Sequence, residues 1–234
     1  MSFRVAIRAA LCAALLLTEG CAGGSKRPPR ATLGPEVDSA GAIRFEDLPV
    51  TRLARSRVPT PNADSPSLGA SNAKVVIQMW SDFECPFCAD VHPVLTELLR
   101  VYAGKVRLVW HDYPLPFHAH ARLAANAGRE AYAQGGAEAF WKFHDAVYSA
   151  SNPRLDAQGL ERFAVKVGLD PARFREALSL ERHDAEVKRD FDTGNALGVE
   201  GTPAFLINDY FFVGAVPIEI MRVIVDRALA DAGA

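Results

Sequence analysis

From Lys74 onward the apolar positions fall into runs whose length and period differ from one segment to the next. Val75, Val76, Ile77, Met79 and Trp80 form a short, nearly continuous apolar run, the pattern of a central strand buried on both faces. It ends at Ser81-Asp82-Phe83-Glu84, and a helix is predicted from Cys85 to about Ala103, closed by Gly104 in a left-handed conformation. Val106, Leu108 and Trp110 then alternate with Arg107, Val109 and His111, which predicts a second strand. Strand, helix, strand implies parallel pairing through a right-handed crossover. From about His118 to Leu197 the pattern is helical, with breaks at Gly135-Gly136, Asn152-Pro153, Gly168 and Asp170-Pro171, so that four or five helices are expected. Asp170 is placed to cap a helix that has Pro171 at its first position. Ala204 to Asn208 and Tyr210 to Val213 read as two strands around the tight turn Asn208-Asp209, and Pro217 opens a last helix ending near Ala230. The predicted architecture is α/β, with a helical insertion at about 117–198 between the second and third core strands.

The chain before Lys74 has a different character. Arg4 and Arg8 precede the apolar run Ala9 to Leu17, which is followed by the small residues Gly20, Ala22, Gly23 and Gly24, the layout of a signal peptide over residues 1–21. That apolar run falls short of the roughly 20 residues needed to cross a bilayer. Leu17-Thr18-Glu19-Gly20-Cys21 resembles the lipobox of bacterial lipoproteins, with Cys21 as the lipidation candidate, although Thr18 and Glu19 depart from it. Ordinary cleavage after Ala22 is the alternative. The expected location is the periplasm or cell envelope, on a membrane if Cys21 is acylated. Residues 22–66, rich in Pro, Gly, Ser and Arg and without sustained period, read as a flexible tether, although Arg52 to Val58 could add an edge strand. Residues 67–234 form the folded domain in this reading.

Composition narrows the function. The 234 residues are 49% hydrophobic with a formal net charge of -2, enough for one ordinary core. Neither half carries the Lys/Arg excess needed to neutralise phosphates, so a nucleic-acid partner is not expected. Of the four cysteines, Cys12 leaves with the signal and Cys21 is either lipidated or removed, which leaves Cys85 and Cys88. A disulfide between them closes too small a loop to stabilise the fold much. Chemistry is the better reason for the pair.

Cys85-Pro86-Phe87-Cys88 lies where a buried strand gives way to a helix. Pro86 suits the first helical position, which makes Cys85 the N-cap residue. Its sulfur then faces the free amides of Phe87 and Cys88 and the positive end of the helix dipole, both of which favour thiolate. Cys85 is the expected nucleophile, and Cys88, one turn on and deeper, is placed to attack a mixed disulfide. A zinc site would require further ligands at suitable spacing, and the six histidines are expected to be solvated or packed, so no metal or cofactor is expected. Gly198-Val199-Glu200-Gly201-Thr202-Pro203 precedes a strand and is compatible either with a cis Thr202-Pro203 bond or with a plain turn.

Ser81 to Cys88, His111-Asp112-Tyr113-Pro114-Leu115, Phe140-Trp141-Lys142-Phe143-His144-Asp145 and Gly198 to Phe205 together resemble the DsbA-like thiol-disulfide oxidoreductases of the thioredoxin superfamily, over roughly residues 68–231. The resemblance implies a thioredoxin fold with a helical insertion and a cis Pro203 beside the cysteines. It also implies that Thr202 offers backbone groups to an extended substrate, alongside Pro86 and Phe87. Phe87 departs from the histidine of the strongly oxidising enteric enzyme, and Met79 occupies the position where relatives commonly bury an acid. Loss of that acid removes a charge opposing the Cys85 thiolate and also a proton acceptor for Cys88, leaving water or Glu84 to support it. The resemblance implies a monomeric dithiol oxidase acting on unfolded or newly exported cysteine-containing proteins and reoxidised by a membrane quinone-linked partner. The alternatives are a disulfide reductase or isomerase, and a non-catalytic binding or metal-handling module.

Overall fold

The computed structural model describes residues 43–233; the signal-like segment and Cys21 lie outside the described residues. The strands are β1 (Thr51–Arg52), β2 (Ser67–Gly69), β3 (Val75–Ser81), β4 (Val106–Asp112), β5 (Ala204–Ile207) and β6 (Tyr210–Val213). They form one sheet in the order β1-β6-β5-β3-β4-β2. The helices are α1 (Pro86–Val101), α2 (Ala121–Tyr148), α3 (Ala157–Lys166), α4 (Pro171–Ser179), α5 (Asp184–Leu197) and α6 (Ile218–Asp231). As the sequence pattern predicts, β3 and β4 are parallel and joined through α1, while β5 and β6 form an antiparallel hairpin. The helices α2 to α5 are inserted between β4 and β5.

Both faces of the central strand are covered. Val75, Ile77 and Met79 face one side, where Leu108, Trp110, Phe205 and Ile207 join them under α1 and α6. Trp80 faces the other side with Tyr113, Leu197 and Leu206. Helix α5 reaches that second face closely because it carries Gly194, where a Cβ would come within 2.8 Å of the Trp80 and Tyr113 rings. Gly198, at φ 92, then ends α5 in the left-handed conformation that turns the chain toward β5.

Several elements differ from expectation. Residues 43–66, expected as part of a tether, pack against the domain: Leu48 and Leu53 are buried, β1 pairs with β6, and the Pro59 carbonyl accepts a hydrogen bond from Gln78 at 2.8 Å. Their apolar residues are too sparse to show a period, and their partners lie far along the chain. The edge strand is confined to Thr51–Arg52, with a 3-10 turn at Arg55–Arg57. Helix α1 stops at Val101, ahead of the left-handed Gly104, and contains Pro93, which removes one of its internal hydrogen bonds. The break expected at Gly135-Gly136 is present: both residues have non-helical backbone and divide α2 into two helical stretches. The break between α4 and α5 has neither glycine nor proline. Glu181 makes it with a left-handed φ of 45, the Arg182 amide donating back to the Ala177 carbonyl at 3.0 Å, and His183 then anchors the start of α5 with its ring 2.7 Å from Glu130 and its amide donating to Asn126 at 3.1 Å.

A buried ionic cluster fixes the insertion to the sheet. Arg129 of α2 donates to Asp112 at the end of β4 and to Asp190 of α5, and all three side chains are almost wholly buried. Asp190 also accepts the Asp112 amide at 3.0 Å and lies 3.3 Å from the His111 ring. Burial pushes the Asp112 carboxyl up against the opposing pull of Arg129, while the His111 hydrogen bond and Arg129 outweigh burial and hold Asp190 down. Removing the one cation leaves two carboxylates facing each other in a dry interior. Arg129→Met is therefore expected to destabilise the domain by about 3–5 kcal/mol, read as a lower urea midpoint, and a change within experimental error would contradict this account of the cluster.

Candidate active site

The site arises where strand polarity brings two distant segments together. β5 runs antiparallel to β3 with Ala204 opposite Trp80, so the residues just before β5 meet the residues just after β3. Thr202-Pro203, a cis peptide bond, therefore lies beside the turn Asp82 to Cys85. Cys85 caps α1 with extended backbone, Pro86 takes the first helical position, and the Cys88 and Ala89 amides donate to the Cys85 carbonyl at 3.1 and 3.3 Å. The Cys85 thiol donates to the Thr202 carbonyl at 3.3 Å, across 117 residues of chain.

The two cysteines are free thiols in unequal surroundings. The Cys88 thiol donates to Cys85, and together with Thr202 and the amides of Cys88 and Phe87 it overcomes burial to lower the Cys85 pKa from 9.0 to about 6. Thr202 acts in two ways. Its carbonyl serves the thiol, whereas its buried hydroxyl, which has no other partner among the described residues, is free to donate to the thiolate. Cys88 moves in the opposite direction: burial, the bond it gives to Cys85 and the neighbouring charge push its thiol up, against weaker help from the Ser81 hydroxyl and the Asp82 amide. The outer sulfur is the readier anion and the inner one is held as a thiol. Around them Pro86 and Phe87 are exposed, Phe87 by 53%, so an apolar surface borders Cys85.

The turn carrying Cys85 is held by residues that sequence reasoning missed as site residues. Asp82 is buried; its carboxylate accepts the Glu84 amide at 2.8 Å, the Leu115 amide at 2.9 Å and the His118 ring at 2.7 Å. Its carbonyl accepts the Tyr148 hydroxyl at 3.0 Å, and that hydroxyl is 3.3 Å from the Ser81 Oγ. Ser81 and Asp82 adjoin the cysteine motif and could have been singled out, whereas Tyr148 carries no local signal. Glu84, expected to support Cys88, instead directs its carboxylate to the His120 amide at 2.6 Å. The hydroxyl of Ser81 and the amide of Asp82 are the groups that face Cys88. Met79 is buried, so its position supplies no acid.

The sequence pattern of the family described as Thioredoxin matches residues 62–227. The chain belongs to the thioredoxin family. Its motifs resemble those of the DsbA-like thiol-disulfide oxidoreductases within the superfamily. It is similar to the structure of oxidised BdbD from Bacillus subtilis, with a TM-score of 0.66 and 21% identity, covering 73% of this chain and 96% of that one. It is 29% identical over 152 residues to the probable disulfide bond formation protein D of Bacillus anthracis, covering 61% of this chain and 69% of that protein. It is also 37% identical over 165 residues to Na(+)/H(+) antiporter NhaA 3 of Salinispora tropica, covering 70% of this chain and 24% of that protein. This thioredoxin-family chain thus spans about a quarter of that antiporter's length, and among the described residues no helix is long and apolar enough to cross a membrane.

The Cys85 environment gives a titration with a definite sign. Thiolate absorbance of the reduced protein is expected to rise with a midpoint near pH 6, where an ordinary cysteine titrates near 9.0. Because the folded value is the lower one, Cys85 ionisation stabilises the reduced fold fully above pH 9 and loses that contribution as the pH falls toward 6. Thr202→Val, which keeps the shape and removes the hydroxyl, should raise the midpoint by about one pH unit, the effect of one hydrogen bond to an anion. An unchanged midpoint would exclude Thr202 from thiolate stabilisation.

Proposed function

We propose that this chain is an exported dithiol oxidase that passes a Cys85–Cys88 disulfide to cysteine-containing proteins. The observation that carries this reading is the placement of the pair, with Cys85 at the N-cap of α1 and its thiol 3.3 Å from the Thr202 carbonyl beside the cis Pro203, and Cys88 buried one turn on. A substrate thiolate attacks the Cys85 sulfur, the Cys85–Cys88 bond breaks, and Cys88 leaves and takes up a proton. A second substrate thiolate then attacks the substrate sulfur of the mixed disulfide, and Cys85 leaves as the thiolate its surroundings favour. The substrate loses two electrons and the chain gains them as a dithiol. An environment that stabilises the Cys85 thiolate stabilises the reduced form relative to the disulfide, and so drives oxidation of the substrate.

In this reading Pro86, Phe87, Thr202 and Pro203 form the surface on which an extended substrate lies, and Cys85 and Cys88 are the catalytic pair. The chain works as a monomer without a cofactor, and a membrane quinone-linked partner restores the disulfide. Export and a periplasmic or envelope location, with a lipid anchor at Cys21, follow from the signal-like N-terminus. The Bacillus anthracis relative, named for disulfide bond formation, supports the direction of electron flow. Phe87 supports a weaker oxidant than the enteric enzyme, because it offers no imidazole to hold the Cys85 thiolate.

Equilibration with glutathione tests the direction. The expected potential lies between about -200 and -120 mV, and a value near that of thioredoxin, about -270 mV, would favour the reductase reading instead. Phe87→His should make the pair more oxidising by on the order of 30 mV, a tenfold change in the equilibrium constant. Cys85→Ser should abolish oxidation of a reduced unfolded protein. Retained biological function without that sulfur would point to a binding module.

A further inference from the structure

One helical turn beyond the cysteines stands a group of side chains that the redox reading does not use. His92 follows Cys88 by one turn on α1, and His144 and Asp145 lie in the last turn of α2 beside it. One nitrogen from each imidazole and a carboxylate oxygen of Asp145 fall within 4.8 Å of one another. Asp145 Oδ1 is 2.9 Å from His144 Nδ1 and 3.8 Å from His92 Nε2. Tetrahedral zinc with bonds of about 2.0–2.1 Å keeps its ligand atoms about 3.4 Å apart. The observed separations lie on either side of that value.

The surroundings of the three groups suit coordination. His144 is enclosed by the rings of Trp110, Trp141 and Tyr148, which fix its orientation. The Asp145 side chain is 57% exposed and His92 is partly exposed, so an ion can enter from solvent and keep a water as fourth ligand. The 3.8 Å approach of His92 to Asp145 is too long for a hydrogen bond. Asp145 is hydrogen-bonded to His144 at 2.9 Å and the His92 ring packs edge-on against it, which gathers three ligand-bearing side chains at one place.

We propose that His92, His144 and Asp145 form a binding site for a divalent transition-metal ion of the zinc class, separate from the two thiols. Two imidazoles and one carboxylate favour zinc, cobalt, nickel or copper(II) over calcium and magnesium, which prefer all-oxygen shells. Since no sulfur takes part, the site is complete when Cys85 and Cys88 are joined as a disulfide. That separates it from metal capture by the redox pair, and the proposal stands independently of the dithiol-oxidase reading.

Zinc titrated into the full chain, with Cys85 and Cys88 oxidised, is expected to bind at one ion per chain by calorimetry. Cobalt should give the visible bands of a four-coordinate ion without thiolate charge-transfer absorption. His92→Ala and Asp145→Asn, both at partly open positions, should each weaken binding by at least about tenfold, since each removes a ligand, while circular dichroism and thiol-disulfide exchange remain unchanged. Three results would overturn the proposal: no binding to the oxidised chain, binding that neither substitution weakens, or binding confined to the reduced chain and lost when Cys85 and Cys88 are both replaced by serine.

Discussion

The geometry of the cysteine pair hangs on the buried carboxylate of Asp82. A turn that leaves a central strand and enters a helix exposes several amides in succession, and each must find an acceptor or remain unpaired in the interior. Asp82 answers this from within the turn, taking the Glu84 amide with one oxygen and the Leu115 amide and His118 ring with the other. Its backbone carbonyl takes the Tyr148 hydroxyl and its amide faces Cys88. One residue therefore sets the entry angle of α1, ties β3 to the loop after β4, and fixes the inner sulfur. The carboxylate is itself fully paired, which is the condition under which a charge can remain buried.

With the turn fixed, the difference between the two sulfurs follows from position. Cys85 is at the cap, where amides point outward, and Cys88 is inside the first turn with protein on its far side. A buried acid near the inner sulfur would favour keeping its proton nearby but would also oppose charge on the outer one. Met79 removes that opposition. Hydroxyl groups take the place of the acid, with Ser81 against Cys88 and Tyr148 against Ser81. Hydroxyls carry no charge, so they can accept or donate a hydrogen bond without raising the outer thiol.

The core of the fold was legible because its residues state their own environment. A continuous apolar run at Val75 to Trp80, an alternating one after Val106, and Pro86 and Pro171 at first helical positions are local signals with local causes. The nucleophilic pair was legible for the same reason. What could not be read depends on partners far along the chain. Leu48 and Leu53 look like isolated apolar residues in a polar tract until β6 and α6 provide a surface for them. The end of α4 is set by a left-handed Glu181, a residue type that does not advertise that conformation, with His183 beyond it held by Asn126 and Glu130. Gly135 and Gly136 were legible as a break, since both depart from helical backbone. The helix beyond them starts in a new direction, and its Trp141 and Phe143 reach the same core as the helix before.

The helical insertion is a working part of the site. The region between β4 and α5 supplies His118 to Asp82, the His120 amide to Glu84, and the Tyr148 hydroxyl to both Ser81 and Asp82. Arg129 and Asp190 lock the same helices to Asp112 at the end of β4. Asp112 is paired in register with Ser81, the residue that faces Cys88. The ionic cluster and the cysteine site therefore share the ends of two adjacent strands, and displacing the insertion moves the donors of one and the charges of the other together. A close-packed interior transmits such a displacement instead of absorbing it. The thiolate at Cys85 thus depends on the insertion as well as on the thioredoxin core: the core presents the cap of α1, and the helices between β4 and β5 hold that cap in place.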